Sequence, residues 1–424
     1  MNSLCSIAVA LAAGLMFTRV FKLLHLNLPD VTAYLIAGLL IGPYGLGRLG
    51  VPGLGFVTHG DVEQLGAISQ TALGFIAFAI GNEFRLSQLK TTGRQATVVG
   101  ILQALTATLL VDLALIGLHF VLGDRLPISV AITLGAIAAA TAPAATLMVV
   151  RQYKARGKVT DILLPVVALD DAVGLVVFAV SFGIARAMQS GTADLFSILV
   201  NPLLEIVLSL ALGSLLGAVL TWLEPLFRSN SNRLSMTIAF VLLTVAVSLV
   251  SFRIGPVVIS FSTLLTCMML GTMFCNLSPL SSDLMSRADK WTAPLFALFF
   301  VLSGAELELN VFRDPAVIGI GLVYILFRSL GKYVGARESC RLVGCDPVVT
   351  RYLGITLLPQ AGVALGMCVT AATLGDYEGS VVRNIILFSV LIYELVGPLL
   401  TKWALTKSGD IRPVETHTGA AGAR

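Results

Sequence analysis

Charge is what this sequence has least of. Of 424 residues only 12% are Asp, Glu, Lys or Arg, about half the share of a soluble domain. So few charges cannot solvate the surface of a water-soluble fold of this length. The net charge of +4 is too small to imply a nucleic-acid partner. Histidine is scarce, and His25, His59, His119 and His417 form no cluster; His25 or His59 could at most sense pH. Cysteine gives no framework either. Cys5, Cys267, Cys275, Cys340, Cys345 and Cys368 show no CxxC, and no His or further Cys stands near Cys340 and Cys345 to complete a zinc set. There is no Walker A loop, HExxH, GxSxG or dinucleotide fingerprint. Enzyme chemistry therefore has no motif here, and no cofactor is called for.

Apolar residues are abundant, at 56% of the chain, and the mean hydropathy is +0.91. They fall in runs near the ~20 residues that cross a bilayer. Thirteen spans are predicted, at about 5–24, 29–43, 64–84, 95–122, 127–150, 160–187, 199–224, 233–252, 256–276, 291–306, 315–337, 352–374 and 381–402. The fold class is an all-α polytopic membrane protein. The first residues, MNSLCS, carry no basic segment, so the first run reads as a retained span. Twenty Lys and Arg flank one side of these spans and six the other. The positive-inside rule then puts the N-terminus outside and the C-terminus in the cytoplasm of a cell's inner (plasma) membrane.

The two halves resemble each other. FIAFAIGNEFRL at 75–86 and LFFVLSGAELEL at 298–309 align Gly81 with Gly304 and Glu83 with Glu306. TAPAAT at 141–146 and LPQAGV at 358–363 put a proline amid small residues in mid-span. Partners lie seven spans apart, so the second copy is inverted. Inverted six-helix repeats with interrupted helices mark transporters, with the site near the midplane.

Several polar groups share one depth. Asp170 and Asp171 lie in the middle of VVALDDAVGLVVF at 166–178. At roughly 1.5 Å rise per residue, they share a slab with Thr141, Gln360, Glu394, Arg328 and Lys332. An ionisable group at that depth marks an ion pathway by default. Adjacent acids point about 100° apart, so one can face a cavity and the other a neighbouring helix. A cavity acid that takes either a proton or a cation couples the two movements. Arg328 and Lys332 share one face of their span, and such a cation can pair with Asp170. Lys332 could also lose its proton when buried. The helix breaks free carbonyls that could coordinate a cation, with Thr141 and Gln360 adding side-chain oxygens. Glu394 could pair with Arg328 but is expected to brace its span. Asp112 is placed nearer the outer side, as the wall of a funnel. Asn82, Glu83 and Glu306 are read as solvated helix ends.

VVALDDAVGLVVF, the TAPAAT break, RSLGKYVGA at 328–336 and LLPQAGVALG at 357–366 resemble motifs of the monovalent cation:proton antiporter superfamily. They are most similar to its bacterial two-aspartate sodium/proton antiporters. The resemblance runs from the second span to the last. It implies that Asp171 is the principal cation- and proton-binding acid and Asp170 the second, paired with Lys332. It also implies that Thr141 sits where two broken helices cross. Arg328, Gln360 and Glu394 would support the site. The resemblance further implies a homodimer, an elevator-like cycle and electrogenic exchange of Na+ or Li+ for H+. Ala142 stands where some relatives carry an acid, and Gln360 and Gly362 fall where some carry Arg and Glu. The expected division is one transporter unit, 1–405, with a core at about 64–187 and 291–405. A dimerisation scaffold takes about 5–43 and 199–276, and 406–424 is a short tail. K+/H+ exchange or cation-coupled transport of another solute on the same fold stays open. An aspartyl protease is disfavoured, because its two acids come from facing helices.

Overall fold

The computed structural model describes residues 3–24, 28–51, 55–82, 86–190, 195–254, 257–307, 309, 314–371 and 374–411. Helices dominate. In order they are α1 (Ser3–Leu23), α2 (Asp30–Ile41), α3 (His59–Glu63), α4 (Gly66–Asn82), α5 (Leu86–Leu122), α6 (Ile128–Ala138), α7 (Pro143–Gln152) and α8 (Lys158–Ser190). The second half holds α9 (Leu195–Leu223), α10 (Asn230–Ser248), α11 (Thr263–Leu277), α12 (Ser281–Glu306), α13 (Pro315–Leu342), α14 (Pro347–Thr356), α15 (Gly362–Ala371) and α16 (Asp376–Lys407). Among the described residues nine helical stretches are long and apolar enough to cross a membrane, and α4 and α11 are shorter apolar helices.

Most predicted spans coincide with one helix. The differences have local causes. The run at 256–276 becomes helical only at Thr263, where Ser262 caps the helix by accepting from the Leu265 amide. Before it, β1 (Phe252–Ile254) pairs antiparallel with β2 (Val257–Ile259), so the chain is not wholly α. These strands are rich in Val, Ile and Phe, which favour a pleated backbone. Helix α12 starts ten residues before the predicted 291 and includes the polar stretch SSDLMSRADK. Two predicted spans are each two half-helices. In the first, α6 ends at Ala138 and α7 starts on Pro143, which fits the first helical turn because it needs no amide partner there. In the second, α14 ends at Thr356 and α15 starts at Gly362.

Packing follows the repeat. An ideal Cβ on Gly304 of α12 would stand 2.2 Å from the Leu35 carbonyl of α2, and one on Gly38 of α2 would stand 1.9 Å from the Val301 carbonyl of α12. The inverted counterpart is α4 on α11. There a Cβ on Gly81 would meet the Met268 carbonyl at 1.8 Å, and one on Gly271 the Phe78 carbonyl at 2.2 Å. Small residues let membrane helices approach backbone to backbone, where dispersion rather than hydrophobicity holds them. Thus the Gly81–Gly304 alignment corresponds to two like contacts.

The apolar cores divide accordingly. One is built from α5, α6, α8, α13, α15 and α16, with Leu134, Phe178, Tyr324 and Phe388 among its members. Another draws on α2, α4 and α9–α12, with Leu35, Phe78, Leu220 and Phe274.

The glycine contacts carry a test. Gly304→Ala should destabilise by about 1–3 kcal/mol through overpacking. Gly319→Ala, where an added Cβ meets nothing within 4 Å, should be neutral or stabilising by helix propensity. Melting of both variants in detergent checks this; equal midpoints would remove the claim.

Candidate functional site

The site is built where the two helix breaks cross. The Ala142 amide donates to the Pro359 carbonyl at 2.8 Å, and Thr141 Oγ1 donates to the Leu357 carbonyl at 3.3 Å. A helix end leaves its last carbonyls without intrahelical partners. Inside a membrane no water meets them, so protein groups must. At the end of α6 the carbonyls of residues 137–140 all accept side-chain bonds. Gln360 Nε2 donates to Ile137 at 3.0 Å and Arg328 Nε to Ala138 at 3.1 Å. Lys332 Nζ donates to Ala139 at 2.5 Å and Arg328 Nη2 to Ala140 at 2.6 Å. At the end of α14, Arg328 Nη1 donates to Leu358 at 2.8 Å. Thr146 Oγ1 lies 3.4 Å from the Thr356 carbonyl.

Arg328 and Lys332, one turn apart on α13, are both fully buried. Their charges fit the place, because a helix C-terminus carries about half a negative charge. Arg328 also lies over the Tyr393 ring, 4.5 Å from its centroid. This corrects one expectation. The freed carbonyls are taken by fixed protein cations and the Gln360 amide, since a buried donor and a buried acceptor each need a partner. They are not open ligands for a transported ion. Gln360, also fully buried, faces Tyr324 Oη at 2.9 Å rather than lending its oxygen to the cavity described below.

Lys332 Nζ has two further partners. It donates to Thr141 Oγ1 at 2.9 Å and to Asp170 Oδ2 at 2.8 Å. Asp170 is fully buried, and its other oxygen accepts from Gln103 Nε2 of α5. Both carboxylate oxygens are therefore engaged. Gln103 was not anticipated from sequence. A lone amide in an apolar helix was the available signal, together with the small-xxx-small pair Gly331 and Gly335 on α13. A Cβ on Gly335 would stand 2.8 Å from the Gln103 Cα, so the glycine lets α5 bring the amide to Asp170.

Asp171 continues helix α8, and its side chain lies outside the described residues. Glu83, His25 and His417 lie outside them too. The helical position of residue 171 is nonetheless fixed. Leu175, Phe178, Phe182 and Arg186 of α8 line a cavity of about 880 Å³. These residues follow helical spacing, and position 171, one turn before Leu175, falls on their face. The cavity runs between two sets of helices. Ser69 and Gln70 of α4, Glu205 of α9, Ser262 before α11 and Ser303 and Glu306 of α12 form one wall. Ala142 and Pro143, Ala361, the α8 face and Glu394 form the other.

Three expectations change here. Glu394 does not pair with Arg328, whose donors go to carbonyls; it lines the cavity. Asp112 is not among the cavity's lining residues and stands against α6, where a Cβ on Gly135 would clash with its carboxylate. Asn82 is buried rather than solvated, whereas Glu306 is an exposed helix end as expected and also lines the cavity.

The buried pair carries a prediction. Lys332→Ala strips Asp170, Thr141 and the Ala139 carbonyl of their shared donor. Removing one partner of a buried ion pair costs about 3–5 kcal/mol, so the melting midpoint should fall clearly. The double variant Asp170→Asn/Lys332→Gln should recover part of the loss. A single variant that melts like the unmodified protein would contradict the pairing.

Comparison with known proteins agrees with this architecture. The high-affinity Na(+)/H(+) antiporter NhaS3 of Synechocystis sp. is 24% identical over 412 residues, which cover 88% of this chain and 84% of that protein. The chloroplastic K(+) efflux antiporter 1 of Arabidopsis thaliana is 24% identical over 96% of this chain, which spans only 33% of that longer protein. The sodium proton antiporter MjNhaP1 of Methanocaldococcus jannaschii at pH 8 has the same fold. Its TM-score is 0.66 at 20% identity, covering 96% of this chain and 99% of that one. Residues 7–407 match the family described as sodium/hydrogen exchanger, transmembrane, and with nearly the whole chain matched, this multi-pass membrane protein belongs to that family.

Proposed function

We propose that this protein is a secondary active antiporter exchanging Na+ or Li+ for H+ across a cell's inner membrane. One observation carries the reading. Asp170 is tied on both oxygens by Lys332 and Gln103, while position 171, about 100° around the helix, falls on the cavity face. Asp171 is then the acid that binds either a proton or a cation. Because both stabilise the same carboxylate, binding one displaces the other. Thr141 and Asp170 set the wall behind it, and Asp170 releases Lys332 when the pair opens. A Lys332 proton released with that opening would make the exchange electrogenic.

The cavity extends to Arg186 near the α8 C-terminus and to Glu306 at the end of α12, on the face with few Lys and Arg, where we place its mouth. By the positive-inside rule it opens outward, with the C-terminus in the cytoplasm. Access from the other side requires one set of helices to move. The core of about 64–187 and 291–405 would move elevator-like against a scaffold of 5–43 and 199–276. The glycine contacts tie α4 to α11 and α12 to α2, which supports placing α4 and α12 with the scaffold. The mobile unit is then α5–α8 with α13–α16. Exposed apolar residues on the scaffold, such as Leu15, Val207, Leu215 and Trp222, suit lipid and the partner subunit of a homodimer.

Exchange of K+ for H+ is the second reading. The chloroplastic K(+) efflux antiporters 1 and 2 match 96% and 98% of this chain, more of it than NhaS3 does.

The deciding experiment is a fluorescence measurement of ΔpH in proteoliposomes with Na+, Li+, K+ or choline, each with and without an ionophore. Na+ and Li+ should collapse ΔpH, and clamping the potential should change the rate. Response to K+ alone would favour the second reading, and response to none would overturn both. Asp171→Asn should abolish exchange with melting unchanged; wild-type exchange by that variant would remove Asp171 from the mechanism.

A further inference from the structure

The proposed exchange leaves one buried acid unused. Glu394 sits in mid-α16, is 8% exposed, and its Oε2 has no hydrogen-bond partner among the described residues. A buried carboxylate without a donor is costly and calls for a proton or a cation. The neighbouring cation cannot supply the charge. Arg328 spends its guanidinium on the Ala138, Ala140 and Leu358 carbonyls. Neighbours on α16 are also engaged elsewhere, with Tyr393 Oη donating to the Ile325 carbonyl at 2.9 Å and Ser389 Oγ to that of Ile386 at 2.9 Å. Glu394 points another way. Leu387, Val390 and Glu394 all line the cavity, at the i, i+3, i+7 spacing of one helix face.

The helix reaches this place through a close contact. A Cβ on Gly397, one turn on, would stand 3.0 Å from the Pro359 ring. Glu394 is thus held beside the second helix break. Glu306 approaches from the opposite wall on α12, one turn beyond Ser303, and both line the cavity. Both carboxylates line the same cavity. Arg186 is the one basic residue among the described lining residues, and it lies near the far end of α8.

We propose that Glu394, with Glu306, forms a second monovalent-cation site in the cavity, a station between its mouth and Asp171. The inference rests on the antiport reading. Carboxylate oxygens suit hard cations. Two acids lining one cavity also repel, and a cation there relieves both. Among the described residues no three His, Cys, Asp or Glu side chains converge. The station therefore holds its ion weakly and passes it on. Glu205 on the opposite wall, bonded to Ser260 Oγ at 3.0 Å, adds to the negative field that draws cations inward.

The test uses the full-length protein in proteoliposomes, with Na+ titrated in the ΔpH measurement. Unmodified protein that exchanges no cation would sink the antiport reading itself. Given exchange, Glu394→Gln, which keeps shape and removes charge, should raise the apparent KM for Na+ about tenfold with Vmax within about twofold. Glu306→Gln should raise it by less, and the double variant by less than the product of the two, because the acids share one ion. Glu306 lies at the cavity wall, so its variant keeps the inference testable if Glu394→Gln does not fold. A second readout is Na+-induced thermal stabilisation of purified Asp171→Asn, which should persist and be lost on adding Glu394→Gln. Unchanged KM in both single variants, or multiplying effects, would overturn the station.

Discussion

Eight backbone carbonyls at the centre of this protein lie where two helices stop inside the membrane. They belong to residues 137–140 at the end of α6 and 356–359 at the end of α14. Each unsatisfied group in a membrane interior costs several kcal/mol, so the two breaks are tolerable only because something donates to all of them. The donors are Gln360, Arg328, Lys332, Thr141, Thr146 and the Ala142 amide. Four of these come from the broken segments themselves, and they lock each break to the other. Arg328 and Lys332 come from α13, and they bring positive charge.

Those charges decide the roles of the acids. Two helix C-termini, each carrying about half a negative charge, together match one guanidinium. Arg328 donates to both ends and is neutralised by them. Lys332 is left to be balanced by a carboxylate, and Asp170 supplies it. The pair is fully buried, and such pairs contribute little net stability. Their value lies elsewhere: the geometry fixes the rotation of α8, and hence which face carries position 171.

Much of this was legible in the sequence because it follows from composition. Apolar runs gave the helices, and Pro143 and Pro359 marked both breaks. Arg328 and Lys332 stood out because a charge in an apolar helix has few innocent uses. The alignment of Gly81 with Gly304 pointed to equivalent packing, which the α4–α11 and α2–α12 contacts display. What stayed hidden depends on three-dimensional partners. Carbonyls are identical at every residue, so no sequence pattern says that Arg328 caps two helices rather than meeting Glu394. Gln103 looked like a stray amide. Glu306 is the solvated helix end it looked like, but a position at a helix terminus does not reveal that a cavity begins there. Strand β2 at Val257–Ile259 was absorbed into the span at 256–276 because β-branched residues are as apolar as helix formers.

The crossing is also polarised, and this bears on where a transported cation can rest. On the α13 side stand two helix C-termini with their carbonyls occupied by fixed cations. On the cavity side α7 and α15 begin, at Ala142, Pro143 and Ala361, and helix N-termini carry positive partial charge. Neither side offers a transported cation an open ring of carbonyls. Its ligands must then be carboxylates that project into the cavity. While the Asp170–Lys332 pair is closed, the charges around the crossing already cancel: Arg328 against two helix ends, Lys332 against Asp170. Asp171 adds one negative charge to that neutral background. One charge needs one counter-charge, and a proton or a cation serves equally. A site balanced in this way cannot hold both at once, and that exclusion is what antiport requires.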